Sequence, residues 1–200
     1  MIISTRLKRA VSVDQIENMV FKTMPFEAEW LDSFGTPGMS GSWIIWGKSG
    51  NGKTTFALRL AKYLSAFDTV AYNTIEEGMK LSFQRAVIAA NMKEVKNRFK
   101  ILDGESIPEL RHRLKKSKSP NIIFIDSLQY TDLTMHSYKR LLNDFPKKLF
   151  IFISHADGQK PKGKIADAIS YDCDVKIRVE GYVAYPVSRF GGGQSFTIKY

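Results

Sequence analysis

The chain alternates short, wholly apolar runs with longer stretches in which apolar residues recur every three or four positions. The first such run, Ser42-Trp-Ile-Ile-Trp46, is short, rich in β-formers and bounded by glycines, so it reads as a buried strand. From Lys53 to about Ala66, the spacing of Phe56, Leu58, Leu60, Ala61 and Leu64 predicts a helix lying on a sheet. The alternation continues with a strand over Thr69 to Thr74, a helix over 78–92 and a strand over Phe99 to Leu102. Ser106 with Glu109 opens a capped helix to about Lys116, and a strand follows over Asn121 to Asp126. A helix over Tyr138 to Phe145 and a strand over Leu149 to Ser154 come next, and Val175 to Val179, Tyr182 to Ser188 and Ser195 to Tyr200 read as a β-meander. Upstream, Ser12 with Gln15 is a capping-box start, placing Ile16, Met19, Val20 and Phe21 on one side of a short helix through about Lys22.

Strands alternating with helices predict an α/β fold, with a mostly parallel central sheet flanked by helices on right-handed crossovers. The tail adds a C-terminal antiparallel β extension. The expected division is an N-terminal helical arm over 1–30 and a core over 31–200, with no internal repeat and no low-complexity linker.

Composition narrows the class. Two hundred residues, 44% hydrophobic and 25% charged, suit one globular domain with a sizeable core. Lys plus Arg outnumber Asp plus Glu by 30 to 20, a formal net charge of +10, which favours polyanionic partners or else simply solvates the surface. Cys173 is the only cysteine, so an intramolecular disulfide and a Cys-rich zinc site are excluded, and the residue reads as core packing. No segment approaches the roughly 20 apolar residues of a membrane span, so the expectation is a cytoplasmic protein with no membrane partner.

Chemistry enters at the end of the first strand. Gly47-Lys-Ser-Gly-Asn-Gly-Lys-Thr54 matches G-x-x-x-x-G-K-[ST] at every fixed position, between an apolar strand and an amphipathic helix. Its glycines let consecutive N–H groups and the helix N-terminus point at phosphates. The residues expected to hold ATP are therefore Gly47, Lys48, Ser49, Gly50, Asn51, Gly52, Lys53, Thr54 and Thr55, with Lys53 on the β and γ phosphates and the Thr54 hydroxyl on Mg²⁺. A second Mg²⁺-organising carboxylate is needed at a neighbouring strand end, and Asp126 supplies it after four apolar residues. Hydrolysis needs a base for water, and Glu76 and Glu77 stand just past the strand ending at Thr74. Glu76 is the expected base. Both glutamates would equally suit the start of the following helix, where acidic residues are favoured.

Several blocks in order resemble the RecA-like ATPases, in particular the branch of RadA/Sms, DnaB-type helicases and KaiC. They are Gly38-Met-Ser-Gly-Ser-Trp-Ile-Ile-Trp-Gly47, Ala71-Tyr-Asn-Thr-Ile-Glu-Glu-Gly78 with Ser82-Phe-Gln-Arg-Ala86, Ile125-Asp-Ser-Leu-Gln129 and Phe152-Ile-Ser-His155. The resemblance spans roughly Leu31 to Tyr200. It implies a RecA-like fold, Glu76 as the catalytic glutamate, Asp126 as the Walker B carboxylate and His155 as the residue that senses the γ-phosphate. Ser188-Arg-Phe-Gly-Gly192 is similar to the RadA motif that reaches a neighbouring subunit's ATP, which implies Arg189 as a finger acting in trans and a ring or filament of identical subunits. The family's lysine two places before that arginine falls here on Val187, and Lys199 is a candidate replacement. A surface arginine at a Gly-rich hairpin turn is the plainer alternative.

The resemblance also implies that two loops face single-stranded DNA, about Gln129 to Met135 and Ala156 to Lys164. The second carries Lys160, Lys162 and Lys164 among glycines and a proline, suited to a mobile phosphate contact or merely to solvation. The basic run from Arg111 to Lys118 is expected to be a solvated helix face. The expected activity is ATP hydrolysis in DNA recombination, repair or replication, with a KaiC-like regulatory ATPase acting on protein partners as the alternative. A monomeric ATP-binding protein without trans contacts is a third possibility.

Overall fold

The computed structural model of the chain describes residues 9–198. Seven helices and nine strands are present among them: α1 Val13–Glu17, α2 Ala28–Phe34, β1 Gly41–Gly47, α3 Lys53–Leu64, β2 Val70–Thr74, α4 Leu81–Ala89, β3 Phe99–Leu102, α5 Ile107–Leu114, β4 Ile122–Asp126, α6 Met135–Asp144, β5 Leu149–Asp157, β6 Lys160–Pro161, α7 Lys164–Asp172, β7 Val175–Glu180, β8 Val183–Ser188 and β9 Phe196–Thr197.

The sheet runs in the order β3-β2-β4-β5-β1-β7-β8-β9, with β6 paired to β5. Pairings from β3 through β1 to β7 are parallel, whereas β7 with β8 and β8 with β9 are antiparallel, as the hydrophobic pattern predicts. Register brings the strand ends together: Gly47 pairs with His155, Thr74 with Asp126, and Asp126 with Ile153. Four residues expected to do chemistry thus sit at or just past one edge of the sheet, where ligands of open α/β sheets bind.

Apolar clusters cover both faces of the sheet. Trp43, Ile45, Phe56, Leu60, Tyr72, Phe124 and Ile151 belong to one, and Ile44, Ile123, Ile125, Phe150, Phe152, Leu110 and Leu141 to the other. This is the period-2 alternation of strands buried on both sides. Cys173 is buried in the second cluster, and burial pushes its thiol up to about 12, so it packs and does not react.

Several boundaries differ from expectation. The capping box of Ser12 and Gln15 is formed, but α1 ends at Glu17 and none of its residues is buried; Ile16, Met19, Val20 and Phe21 face solvent. Core packing instead reaches back into the expected arm, because Met24, Phe26 and Trp30 are buried and Trp30 stacks on Tyr63 at 4.6 Å. Two helices are new. α2 lays Trp30 and Phe34 against Trp43, Phe56 and Phe196, and α7 buries Ala166, Ile169 and Ser170. The helix expected over 78–92 is α4 alone, followed by a 3-10 turn over Met92–Val95 after Asn91 takes a left-handed φ of 49°. The last strand is confined to Phe196–Thr197, and Lys199 lies outside the described residues.

Candidate functional site

The phosphate motif leaves β1 at Gly47 and enters α3 at Lys53. Gly50 and Gly52 hold φ values of 76° and 92°, the left-handed region that glycine enters at no steric cost. A Cβ at Gly47 would overlap the Val179 carbonyl, so only glycine fits where the loop leaves the sheet. The loop is also fastened from outside. Gly181 N donates to Asn51 Oδ1 at 2.8 Å, and Tyr182 N donates to the Asn51 carbonyl at 3.2 Å.

The cavity beside this loop measures about 230 Å³ and is lined by Ser49, Lys53, Thr54, Thr55, Glu76, Glu77, Asp126 and Tyr182, among others. Larger clefts exist, including one of about 450 Å³ between α3 and the end of α4, but among the described residues none other lies against the glycine loop and its carboxylates. Lys53 Nζ donates to the Lys48 carbonyl at 3.0 Å; burial lowers its pKa, opposed by the charges of Glu76, Asp126 and Glu77. A cation already held among carboxylates in a half-buried site is poised for phosphate charge.

Asp126 ends β4 with its carboxylate almost sealed, and Tyr72 donates to its Oδ2 at 2.6 Å. Burial pushes its pKa up to about 6, although the Tyr72 hydrogen bond works in the other direction. The folded chain therefore keeps on Asp126 a proton that the unfolded chain releases near the ordinary value of 3.8, and stability falls as pH rises through that window. A difference of that size is worth about 3 kcal/mol. Asp126→Asn is accordingly expected to melt several degrees above the wild type at pH 8 without ligands, with the difference closing toward pH 4. Equal melting temperatures at pH 8 would remove this account of the buried carboxylate.

Glu76 lies across the cavity. Its carboxylate is 2.9 and 3.0 Å from His155 Nε2, and Ser127 Oγ donates to Oε2 at 2.7 Å. Burial raises its pKa, but the bonds to His155 and Ser127, with Lys53 nearby, outweigh burial and leave it lowered and ionised. Glu77 instead accepts from Ser82 Oγ at 2.8 Å, tying it to the first turn of α4. The two glutamates are thus distinct: one is wired to the next strand end, the other to its own helix.

His155 is also where the basic segment begins. The expected mobile loop over 156–164 is a built hairpin: β5 runs on to Asp157, turns, and pairs back with β6. Trp46 Nε1 donates to the Gln159 carbonyl at 2.9 Å, and Lys162 N donates to the His155 carbonyl at 2.8 Å. Gln129 links the neighbouring turn to it, accepting from His155 N and donating to Ser154 Oγ and the Lys162 carbonyl. Lys160, Lys162 and Lys164 are exposed on this frame, the last opening α7. In the other basic run, Arg111 and Arg113 are engaged by Asp144 and Glu105.

Arg189 is not in this group. Ser188 pairs with Val175, which pairs with Trp43, so the arginine stands at the start of β1 and the glycine loop at its end. Its turn is clamped to α2, with Ser188 Oγ donating to the Phe34 carbonyl at 2.8 Å and Gly193 N to the Ser33 carbonyl at 3.0 Å.

Sequence reasoning missed Tyr72, Ser127 and Tyr182. A tyrosine inside an apolar strand reads as core, and the pairing of β2 with β4 that aims it at Asp126 is non-local. Tyr182 carried one local sign, the Gly181-Tyr182 step between two strands; it takes a φ of 60° and its ring sits against Gly52.

Two observations of this site bear on whether ATP and Mg²⁺ fit it. Glycines leave backbone room where phosphates would lie, and Thr54 and Asp126 offer the hard oxygen donors Mg²⁺ prefers beside substrate phosphates. Both favour the fit.

Fold and site together define a RecA-like P-loop fold: a parallel sheet with an antiparallel tail, a glycine loop after β1, and an aspartate ending the strand two places from it. The chain is similar to the solved ATPase domain of a DnaB-type helicase, at 16% identity and a TM-score of 0.54, over 78% of this chain and 80% of that one. It is also similar to the flagellar accessory protein FlaH from Methanocaldococcus jannaschii, at 16% identity and a TM-score of 0.53, over 80% of this chain and 85% of that one. No family model and no curated protein sequence matches it.

Proposed function

We propose that the chain binds ATP with Mg²⁺ and hydrolyses it at an interface between identical subunits, working on single-stranded DNA. The observation that carries the reading is the convergence of Lys53, Thr54, Asp126 and Glu76 on one cavity beside the glycine loop. The similar solved structure described as an ATPase domain supports the same activity. When bound, Mg²⁺ neutralises phosphate charge and fixes phosphate geometry. Thr54 and Asp126 hold it, Lys53 compensates the β and γ phosphates, and Glu76 takes the proton of the attacking water. His155 and Ser127 orient the Glu76 carboxylate and report on what lies beyond it.

The test is Lys53→Ala in a nucleotide-binding titration. Loss of the ammonium leaves phosphate charge uncompensated in a half-buried loop, so tight ATP binding is expected to disappear while the fold survives. Binding equal to the wild type would overturn the assignment of the loop.

DNA is favoured by the net charge of +10 and by three exposed lysines on a hairpin that starts at His155 and is linked to the turn after β4. Each phosphate neutralised on a single strand contributes about 0.7 to the slope of log affinity against log salt. Replacing Lys160, Lys162 and Lys164 together with alanine is expected to weaken binding to an oligonucleotide and flatten that slope by about 2. An unchanged slope, with thermal melting showing an intact fold, would take DNA off this hairpin.

A further inference from the structure

Asp126 is supported from behind, away from the glycine loop. In a parallel pair the residues in register share a face, so Tyr72 lies beside Phe124 and Thr74 beside Asp126. The Tyr72 ring stacks on Phe124, with centroids 5.5 Å apart, and its hydroxyl reaches one residue pair along to donate to Asp126 Oδ2 at 2.6 Å. Tyr72 is fully buried, and burial next to this carboxylate drives its pKa well up, so the phenol stays a donor. Packing alone does not require the hydroxyl, since phenylalanine would fill the same space between Phe83, Phe99 and Phe124. The second feature is Thr74. Its hydroxyl is buried and has no hydrogen-bond partner among the described residues, although an orphaned buried hydroxyl costs about 1 to 3 kcal/mol.

We propose that Tyr72 is a positioning residue for the cation that accompanies the nucleotide, and that the Thr74 hydroxyl is a reserved contact for a water of that cation's outer shell. By occupying Oδ2, Tyr72 fixes the plane of the Asp126 carboxylate and leaves the other oxygen to the cavity that Thr54 also lines. A carboxylate free to rotate would present either oxygen, or neither, and would bind a small octahedral cation less well. The inference rests on the nucleotide reading above.

The experiment measures binding of a fluorescent ATP analogue to the full chain, first in EDTA and then along a Mg²⁺ titration, with Mn²⁺ binding followed separately by electron paramagnetic resonance. Tyr72→Phe is expected to leave affinity in EDTA within about twofold, while the Mg²⁺ midpoint and the Mn²⁺ dissociation constant rise about 10- to 100-fold, the usual effect of removing a partner of a metal ligand. Thr74→Val removes only an unpartnered hydroxyl, so it should fold at least as well as the wild type and still raise the midpoint. This second variant keeps the idea testable if Tyr72→Phe does not fold. Unmoved midpoints in folded variants, with a wild type that responds to Mg²⁺, overturn this inference alone. A wild type whose nucleotide binding ignores Mg²⁺ overturns it together with the nucleotide reading.

Discussion

Glu76→Gln is expected to bind ATP as the wild type does and to lose about 10² to 10⁴ of its turnover, the usual contribution of a general base. Binding rests on the glycine loop, Lys53 and Asp126, and the substitution touches none of them. Its amide is nearly isosteric, and its carbonyl oxygen still accepts from Ser127 Oγ, which now donates to Oε2 at 2.7 Å. What is lost is a carboxylate that His155, Ser127 and Lys53 keep ionised despite burial. Single-turnover hydrolysis alongside equilibrium binding separates the two effects. Glu77→Gln is the control, because Glu77 is held by Ser82 on α4 and should matter little to the water. A large loss in Glu77→Gln with an active Glu76→Gln would exchange their roles.

The base and the aspartate were legible because their signals are local. Each follows a short apolar strand bounded by polar residues, and parallel pairing then has one arrangement that brings both strand ends to the glycine loop. What was illegible has identifiable causes. α2 has only seven residues, and its first position follows Glu27, which makes no side-chain cap, so Trp30 and Phe34 alone had to announce it. α7 starts after Gly163 without a side-chain cap, directly behind three closely spaced lysines that drew the reading toward a loop. Its own pattern, Ala166, Ile169, Ser170 and Cys173, has helical spacing and was available. The arm failed in the opposite sense. A capping box and apolar spacing do form a helical turn, but they say nothing about whether a core lies beside it. The partners of Glu76 and Asp126 were beyond reach, since Ser127, His155 and Tyr72 meet them only through pairing across the sheet.

The finger at Arg189 follows from the same sheet. Four residues of β1, at about 3.3 Å each, separate Trp43, in register with Val175 and so with Ser188, from Gly47 at the loop. Arg189 is therefore about 13 Å or more from its own phosphate site. Its turn cannot swing across, being held to α2 by Ser188, Thr36 and Gly193. A close approach fixes the turn further: Gly192, at φ 80°, lies against the backbone of Ser33 and Phe34 where no Cβ would fit. A rigidly presented guanidinium at the far edge can serve only a neighbour, where a fixed cation stabilises charge developing in the transition state and is worth about 10³ to 10⁵ in rate. Arg189→Ala is thus expected to bind ATP and turn it over slower by a factor in that range. Mixed with excess Glu76→Gln, it should regain activity, because an interface between the two variants pairs an intact Glu76 with a donated Arg189. Exchange of subunits is checked first with labelled protein, and a double variant carrying both changes gives the baseline. Val187, exposed where the related motif has lysine, leaves Arg189 to act without a second cation from that position, so the single change should be felt in full. Normal hydrolysis by Arg189→Ala, or mixtures that exchange and stay inactive, would leave Arg189 no part in catalysis between subunits.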